Sequence, residues 1–127
     1  MPVRRHSRTY LSGVADVWTS DRKSLSDIIG TRMAFCLIKN ISVSGLGVFT
    51  TTPLQVGSVV AIDRLSFNKR VYSDRLFGTV AWVSGKDRAY NVGIRFQDSI
   101  NKYKHTALYS DLFGNSVASG GFSGFGN

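Results

Sequence analysis

Apolar and polar residues alternate in short runs along most of this chain, with the two-residue period that is typical of β-strands. Residues 33–39 differ, because they form a nearly continuous apolar run flanked by charge, which is typical of a buried strand. Together these runs predict six strands, over residues 10–18, 33–39, 47–52, 58–65, 70–83 and 90–96.

Turn-forming residues separate the predicted strands. Pro53 ends the third strand, because proline lacks the donor for the next ladder bond, and Asn68 and Lys69 are predicted to form a hairpin tip. The predicted connections are residues 19–32, 40–46, 53–57, 68–69 and 84–87. Six strands joined in this way pair antiparallel and close into a barrel, which leaves no exposed sheet edge. The fold class we expect is therefore all-β, a six-stranded antiparallel β-barrel.

One helix is predicted after the last strand. Asp98 or Ser99 is its predicted cap and Gly114 its end. An apolar stripe at near-helical spacing would seal this helix against the barrel; its members are Ile100, Tyr103, Ala107, Leu108 and Leu112. Residues 114–127 are rich in glycine and serine, so we expect a flexible tail there and a single domain over residues 1–113.

Composition narrows the classes of protein. The chain has 127 residues, no glutamate and many β-branched and aromatic residues, which favours one mostly β domain. A single cysteine, Cys36, excludes an internal disulfide and any multi-cysteine zinc site, and we expect it to be a core residue. The sequence contains no apolar stretch long enough for a membrane span and no secretory signal pattern, so a cytoplasmic protein is expected.

The net charge of +8 favours an anionic partner. The alternative explanation is that this charge only keeps a small domain soluble. Motifs for catalysis are missing: there is no phosphate-binding loop, no nucleophile elbow and no metal-ligand spacing. His6 and His105 have no acidic partner nearby in the sequence. We therefore predict that the protein is not an enzyme and needs no cofactor or metal.

Two short motifs carry binding chemistry. The first is an arginine cluster in which Arg4 and Arg8 are four residues apart, and a guanidinium fork matches a phosphate or the edge of a guanine. The second lies between two predicted strands. There Asn40 supplies an amide, Ser42 supplies a hydroxyl, and Gly45 allows a positive φ and a close backbone approach. Together they suit a small, anionic ligand that contains guanine.

The two motifs, RxxxR followed by NxSxxG, resemble the signature of the PilZ domain family. Residues 53–57, 78–83 and 90–96 are similar to the later strands of that family in order and spacing, so the resemblance covers residues 4–113. It implies a PilZ-like split barrel with a C-terminal α-helix. It also implies binding of cyclic di-GMP, a bacterial second messenger.

The resemblance implies a role for each motif residue. Arg4 and Arg8 would clamp a guanine edge and the phosphates from a flexible arm, residues 1–9. Asn40 would bond a guanine, Ser42 would contact a phosphate or base, and Gly45 would hold the turn.

Three further residues bear on the ligand. Arg5 is an additional candidate contact, and Arg95 either points outward or reaches the ligand. In the PilZ family an arginine just before the motif goes with binding of a stacked ligand dimer, so the resemblance implies that a protein with Val3 there binds one ligand per domain.

Trp82 lies within a predicted strand, so we expect it in the core rather than stacked on the ligand.

The predicted function is a cyclic di-GMP receptor that orders its arm on binding. The protein would then present a changed surface to an unidentified protein effector in motility, biofilm or polysaccharide control. One alternative is a PilZ-like adaptor that works through protein contacts without nucleotide. Another is a small barrel that binds single-stranded nucleic acid, which is less favoured because the basic residues are scattered along the chain.

Overall fold

The structure is a computed structural model that describes residues 9–19 and 32–114. The arm before Thr9, most of the predicted 19–32 connection and the tail after Gly114 lie outside the described residues. The predictions on those segments therefore stay predictions. At the two borders, Thr9 already belongs to the first strand and Gly114 to the last helical turn.

The described residues form seven strands and one short helix. The strands are β1 Thr9–Thr19, β2 Arg32–Ser42, β3 Gly45–Thr50, β4 Val59–Phe67, β5 Arg70–Val71, β6 Leu76–Lys86 and β7 Ala89–Phe96. The helix α1 spans Thr106–Tyr109 and continues as a π-helical turn, Ser110–Gly114.

Six of the strands close into an antiparallel barrel, as the sequence predicts. Their order is β1-β2-β3-β7-β6-β4, and β4 pairs again with β1 to complete the ring. The two-residue strand β5 only extends β4 as a hairpin. Its turn is the predicted one, since Asn68 and Lys69 both have positive φ.

The core fills the barrel with alternate residues of each strand. On β2, Ala34, Cys36 and Ile38 point inward and are buried, and on β3 Leu46 and Val48 do the same. This alternation is the two-residue period that the sequence shows. Cys36 is a core residue, as expected, and burial raises the pKa of its thiol to about 11, so it stays protonated at neutral pH.

Several predicted boundaries are wrong. Strand β2 continues through Asn40 to Ser42, so the turn before β3 consists only of Val43 and Ser44. Strand β6 extends to Lys86, and the turn predicted over residues 84–87 lies at Asp87 and Arg88, both with positive φ. The predicted strand over residues 70–83 is interrupted, because residues 72–75 have no strand pairing.

The predicted helix begins too early. Asp98 and Ser99 do not cap it, because α1 begins at Thr106 with His105 as the preceding residue. Tyr103 is 81% exposed and lies in a turn, so it is not part of an apolar stripe. Ile100 and Leu108 are buried, so the segment does seal the barrel, but through a loop and one helical turn.

The helical turns of residues 106–114 are too short to cross a bilayer, and none of the other described residues is helical.

Candidate functional site

The turn between β2 and β3 is organised by Ser42. The Ser42 Oγ accepts a hydrogen bond of 3.3 Å from the Ser44 backbone N–H and lies 3.3 Å from the Ser44 Oγ. Such a bond from a side chain to the residue two positions on stabilises a tight turn. Ser42 is itself buried, so in this structure its hydroxyl shapes the turn.

The same turn is hydrogen-bonded to the last residue of β7 and to the loop that follows β7. The Ser44 carbonyl accepts a bond of 2.9 Å from the Phe96 N–H, and the Val43 carbonyl accepts one of 2.8 Å from the Ile100 N–H. Two elements distant in sequence therefore hold the turn. These two bonds hold the backbone of the turn in place.

Gly45 fulfils one of its two expected roles. Its φ is not positive, since the glycines with positive φ in the described part of the chain are Gly57 and Gly85. A Cβ at Gly45 would lie 2.7 Å from the Ile94 carbonyl oxygen of β7. Glycine is therefore required because β3 and β7 approach closely at this position.

A row of four residues crosses the outer face of the barrel beside this turn. Asn40 on β2 pairs with Gly47 on β3, Gly47 pairs with Gly93 on β7, and Gly93 pairs with Trp82 on β6. A Cβ at Gly47 would lie 2.8 Å from the Asn40 Nδ2, and a Cβ at Gly93 would overlap the Trp82 indole. The two glycines thus let the amide and the indole lie flat over the strands.

Irregularities in two strands turn Asn40 and Trp82 outward. The β2–β3 register shifts between Ile38 and Asn40, and the β6–β7 register shifts between Val80 and Trp82. Ile38 and Val80 are buried, whereas Trp82 is 50% exposed and Asn40 is partly exposed. A bulge adds one residue to a strand, so the residue after it points to the other face of the sheet. This happens once in β2, before Asn40, and once in β6, before Trp82.

A cavity of about 320 Å³ lies over this row. Asn40 and Trp82 line it, together with Lys39 and Asn91. The Lys39 Nζ donates a hydrogen bond of 3.1 Å to the Asn91 Oδ1. The cavity thus offers a flat aromatic surface, two amides and one ammonium, which suits a planar anionic ligand with hydrogen-bonding edges.

A second cavity of about 210 Å³ adjoins the first, and Trp82 and Gly93 line both. It adds Gly45 and the exposed Arg95, which pair with each other across β3 and β7. The structure therefore brings a second cation to the site. The described residues around these cavities include no carboxylate, so the local charge is positive.

The predicted site residues fall into three groups. The structure brings together Asn40, Gly45 and Arg95, and it places Ser42 beside them at the end of β2. Arg4, Arg5 and Arg8 lie outside the described residues.

The expectation that Trp82 packs in the core is wrong, because it lines both cavities on the outer face. The sequence motifs gave no signal for Lys39, although it immediately precedes Asn40, or for Asn91, which the pairing of β7 with β3 brings within hydrogen-bond distance of Lys39. Among the described residues, no three His, Cys, Asp or Glu side chains cluster as metal ligands would.

The described residues thus form a small closed β-barrel domain with two adjoining cavities on its outer face. A sequence model of the PilZ domain matches residues 2–113. The chain therefore belongs to the PilZ domain family, as its two motifs indicate. No curated protein sequence matches it.

Two of the solved structures that match this chain illustrate the shared fold. One is the inhibitor of motility MotI/DgrA of Bacillus subtilis, with a TM-score of 0.62, 15% identity and 93% of this chain covered. This chain spans about half of that protein, 53% of its length. The other is described as the PilZ domain with c-di-GMP of YcgR from Escherichia coli, with a TM-score of 0.59 and 15% identity. That match covers 92% of this chain and 95% of the YcgR domain.

Proposed function

We propose that this protein is a receptor for cyclic di-GMP and that the ligand binds over the two cavities beside the β2–β3 turn. Membership of the PilZ family and the fold shared with a YcgR domain described with c-di-GMP support this proposal. So does the chemistry of the cavities, which combines an aromatic face, amides and cations. A cytoplasmic location is part of the proposal.

The observation that carries the proposal is the register of β1 on β2. Thr9 pairs with Ile41, and Tyr10 pairs with Asn40. Arg8 is bonded to Thr9, so its Cα is about 3.8 Å from the Cα of Thr9. The arginine motif therefore joins the barrel beside the asparagine and serine of the second motif. This is the arrangement that two motifs need to grip one ligand.

Each residue of the site then has a role. Trp82 stacks on one guanine, and Asn40 bonds the edge of a guanine. Arg4 and Arg8 clamp a guanine edge and the phosphates from the arm, with Arg5 as an additional contact.

The cations and the turn complete the contacts. Lys39 and Arg95 neutralise phosphate charge from the two sides of Trp82. The Ser42 hydroxyl gives up its hydrogen bond to Ser44 and contacts a phosphate or base instead. Gly45 keeps β3 close to β7.

The signal is the ordering of the arm. Fixing the backbone of a residue costs about 1–2 kcal/mol, whereas a hydrogen bond to a charged group contributes about 1.5–3 kcal/mol. Several such bonds from Arg4 and Arg8, together with the amide bond of Asn40 and the stacking on Trp82, offset the ordering of a short arm and leave low-micromolar affinity, about −8 kcal/mol. The ordered arm and the ligand form the new surface that a protein effector reads.

Titration calorimetry with cyclic di-GMP tests this function. We expect wild type to bind about one ligand per domain in the micromolar range, and Arg8→Ala to bind about 10- to 100-fold more weakly, because charge-assisted bonds are lost. Arg88→Ala is the matched control. This substitution also removes a guanidinium group, but at the opposite end of β7 from Arg95, seven residues or about 23 Å away along the strand. The Arg88→Ala variant should bind cyclic di-GMP as wild type does.

Two results would contradict the proposal. Undiminished affinity in Arg8→Ala would show that the arm does not grip the ligand. No binding by folded wild-type protein would favour the adaptor that works without nucleotide. A titration with a short single-stranded oligonucleotide alongside addresses the remaining alternative, for which affinity would fall steeply with salt.

A further inference from the structure

The outer face of β2 carries an unusual row of large apolar side chains. Met33, Phe35 and Leu37 point outward and are 42%, 55% and 46% exposed, while the alternating residues between them are buried in the core. We call these three residues the β2 apolar row. An antiparallel strand with one solvated face normally carries polar residues at such positions, so the row calls for a physical explanation.

The neighbouring strands widen the row into a patch. Met33 pairs with Trp18 of β1, and Leu37 pairs with Val14 of β1 and with Phe49 of β3. These three neighbours are partly buried, so they form the apolar rim around the row. Contiguous exposed apolar surface on a small protein marks interaction sites more often than isolated apolar residues do.

Charge distinguishes the partners that could cover this patch. Among the described residues, Asp16 supplies the carboxylate next to the row; it pairs with Phe35 across β1 and β2 and lies 3.6 Å from the Arg64 guanidinium. At the other end, the exposed Lys39 continues the row on the same face. A second copy of this chain, with its own charge of +8, would be repelled. Three half-exposed side chains also fall far short of the roughly 800 Å² per partner in a stable interface.

We propose that the β2 apolar row is a docking surface for an acidic, apolar-containing segment of a partner protein. The apolar side chains of the segment cover the row, and its carboxylates face Lys39 and the positive field of the chain. The row is well suited to this role because β2 is hydrogen-bonded to strands on both sides, so its outer side chains are held in place before docking. The surface is continuous with the ligand site, since Lys39 belongs to both, but docking does not require the ligand.

Selection from a phage-displayed library of random peptides against the immobilised full chain tests this inference. We expect the enriched peptides to carry apolar residues flanked by aspartate or glutamate. They should bind the double variant Phe35→Thr/Leu37→Thr about 10-fold or more weakly than wild type. Threonine keeps the strand preference of these outward positions, so the fold is retained.

The matched control is Val56→Thr/Val71→Thr, which removes two exposed apolar side chains away from the row. Peptide affinity should not change in this control. The inference is overturned if no peptides are selectively enriched, if they are not acidic, or if they bind the Phe35/Leu37 variant as tightly as wild type. It is also overturned if sedimentation shows a wild-type dimer that the Phe35/Leu37 variant abolishes, because the occupant is then a second copy.

Calorimetry with cyclic di-GMP separates this inference from the proposed function. The Phe35→Thr/Leu37→Thr variant should keep the wild-type affinity for cyclic di-GMP. If wild type binds no cyclic di-GMP but selects acidic peptides on the row, the proposed function fails and the docking surface stands.

Discussion

Trp82 is the residue that joins the two halves of the candidate site. Its indole lies over Gly93 and lines both cavities, one with Asn40 and one with Arg95. Half of its surface is exposed, and a large flat aromatic group that is open to solvent beside amides and cations is suited to stacking on a base.

Replacing Trp82 therefore tests the stacking role. We expect Trp82→Leu to weaken cyclic di-GMP binding about 5- to 100-fold, because stacking on an aromatic side chain contributes about 1–3 kcal/mol per base. Trp18→Leu removes the other tryptophan, which lies on β1 opposite Met33 and Ala61, and should leave the affinity unchanged. Calorimetry on folded variants is the measurement, and equal affinities in the two variants would contradict the stacking role.

The position of Trp82 could not be predicted from alternation. Val80 and Trp82 share one parity, and Val80 is buried, so a regular strand would bury Trp82 as well. The bulge between them reverses the parity, and bulges have no reliable local signature when no glycine marks them. Asn40 follows a bulge in the same way, but the NxSxxG spacing still identified it, because the motif is independent of which face the residue occupies.

Tyr72 is a second residue whose environment gives a prediction. Burial, and then a hydrogen bond from its hydroxyl to the Asp111 carboxylate, raise the pKa of Tyr72 to about 12. The folded protein holds this proton more tightly than the unfolded chain, whose tyrosine pKa is about 10. The resulting stability is present below about pH 10 and is lost as the pH rises towards 12.

Urea unfolding between about pH 9 and pH 11 measures this effect. The free energy of unfolding of wild type should fall as the pH rises through that interval. Tyr72→Phe should be less stable than wild type at the lower pH and should lose less stability on going to the higher one. Parallel curves for the two proteins would contradict the assigned cause of the raised pKa.

At the scale of elements, the site depends on how closely β2, β3, β7 and β6 pack. Gly47 and Gly93 occupy the two central positions of the row, where side chains from the outer strands lie across the sheet. A Cβ at Gly93 would meet the middle of the Trp82 indole rather than a flexible end. The indole would have to swing away from the sheet.

Gly93→Ala should therefore open the site without unfolding the barrel. In a Trp18→Phe background, Trp82 is the single tryptophan, and we expect its fluorescence emission to shift to the red as the indole becomes more exposed. Affinity for cyclic di-GMP should fall by a factor similar to that of Trp82→Leu. Gly114→Ala is the control, because a Cβ there makes only ordinary contacts of 3.6 Å or more. Unchanged emission and affinity in Gly93→Ala would show that Gly93 does not position the indole.

The strands were more predictable than the helix. Alternation located the six barrel strands because each buries one face, and the boundaries were wrong by a few residues where strands continue into turns. The helix was placed too early because apolar residues at 100 and 108 suggested one continuous helix. In the structure Asn101 instead accepts bonds from the Tyr103 and Lys104 N–H groups, and these bonds form a turn. An asparagine that bonds its own backbone in this way competes with helix formation.

At the scale of the molecule, closure of the ring decides where the two motifs meet. They are about thirty residues apart in sequence, and pairing of β1 with β2 brings the start of β1 beside the end of β2. The distribution of charge agrees with a ligand site there. Asp16, Asp63 and Asp111 pair with arginines, whereas neither Lys39 nor Arg95 forms an ion pair with a described acidic residue.

The central claim is that the arginine arm and the cavities beside the β2–β3 turn, which Asn40 and Trp82 line, bind the same molecule of cyclic di-GMP. Nuclear Overhauser effects between isotope-labelled protein and unlabelled ligand measure this most directly. We predict that the guanine and ribose protons of one bound ligand show contacts both to the side chains of Arg4 and Arg8 and to those of Asn40 and Trp82. Contacts confined to one of these two groups, or to the surface around Arg88 at the other end of β7, would contradict the account.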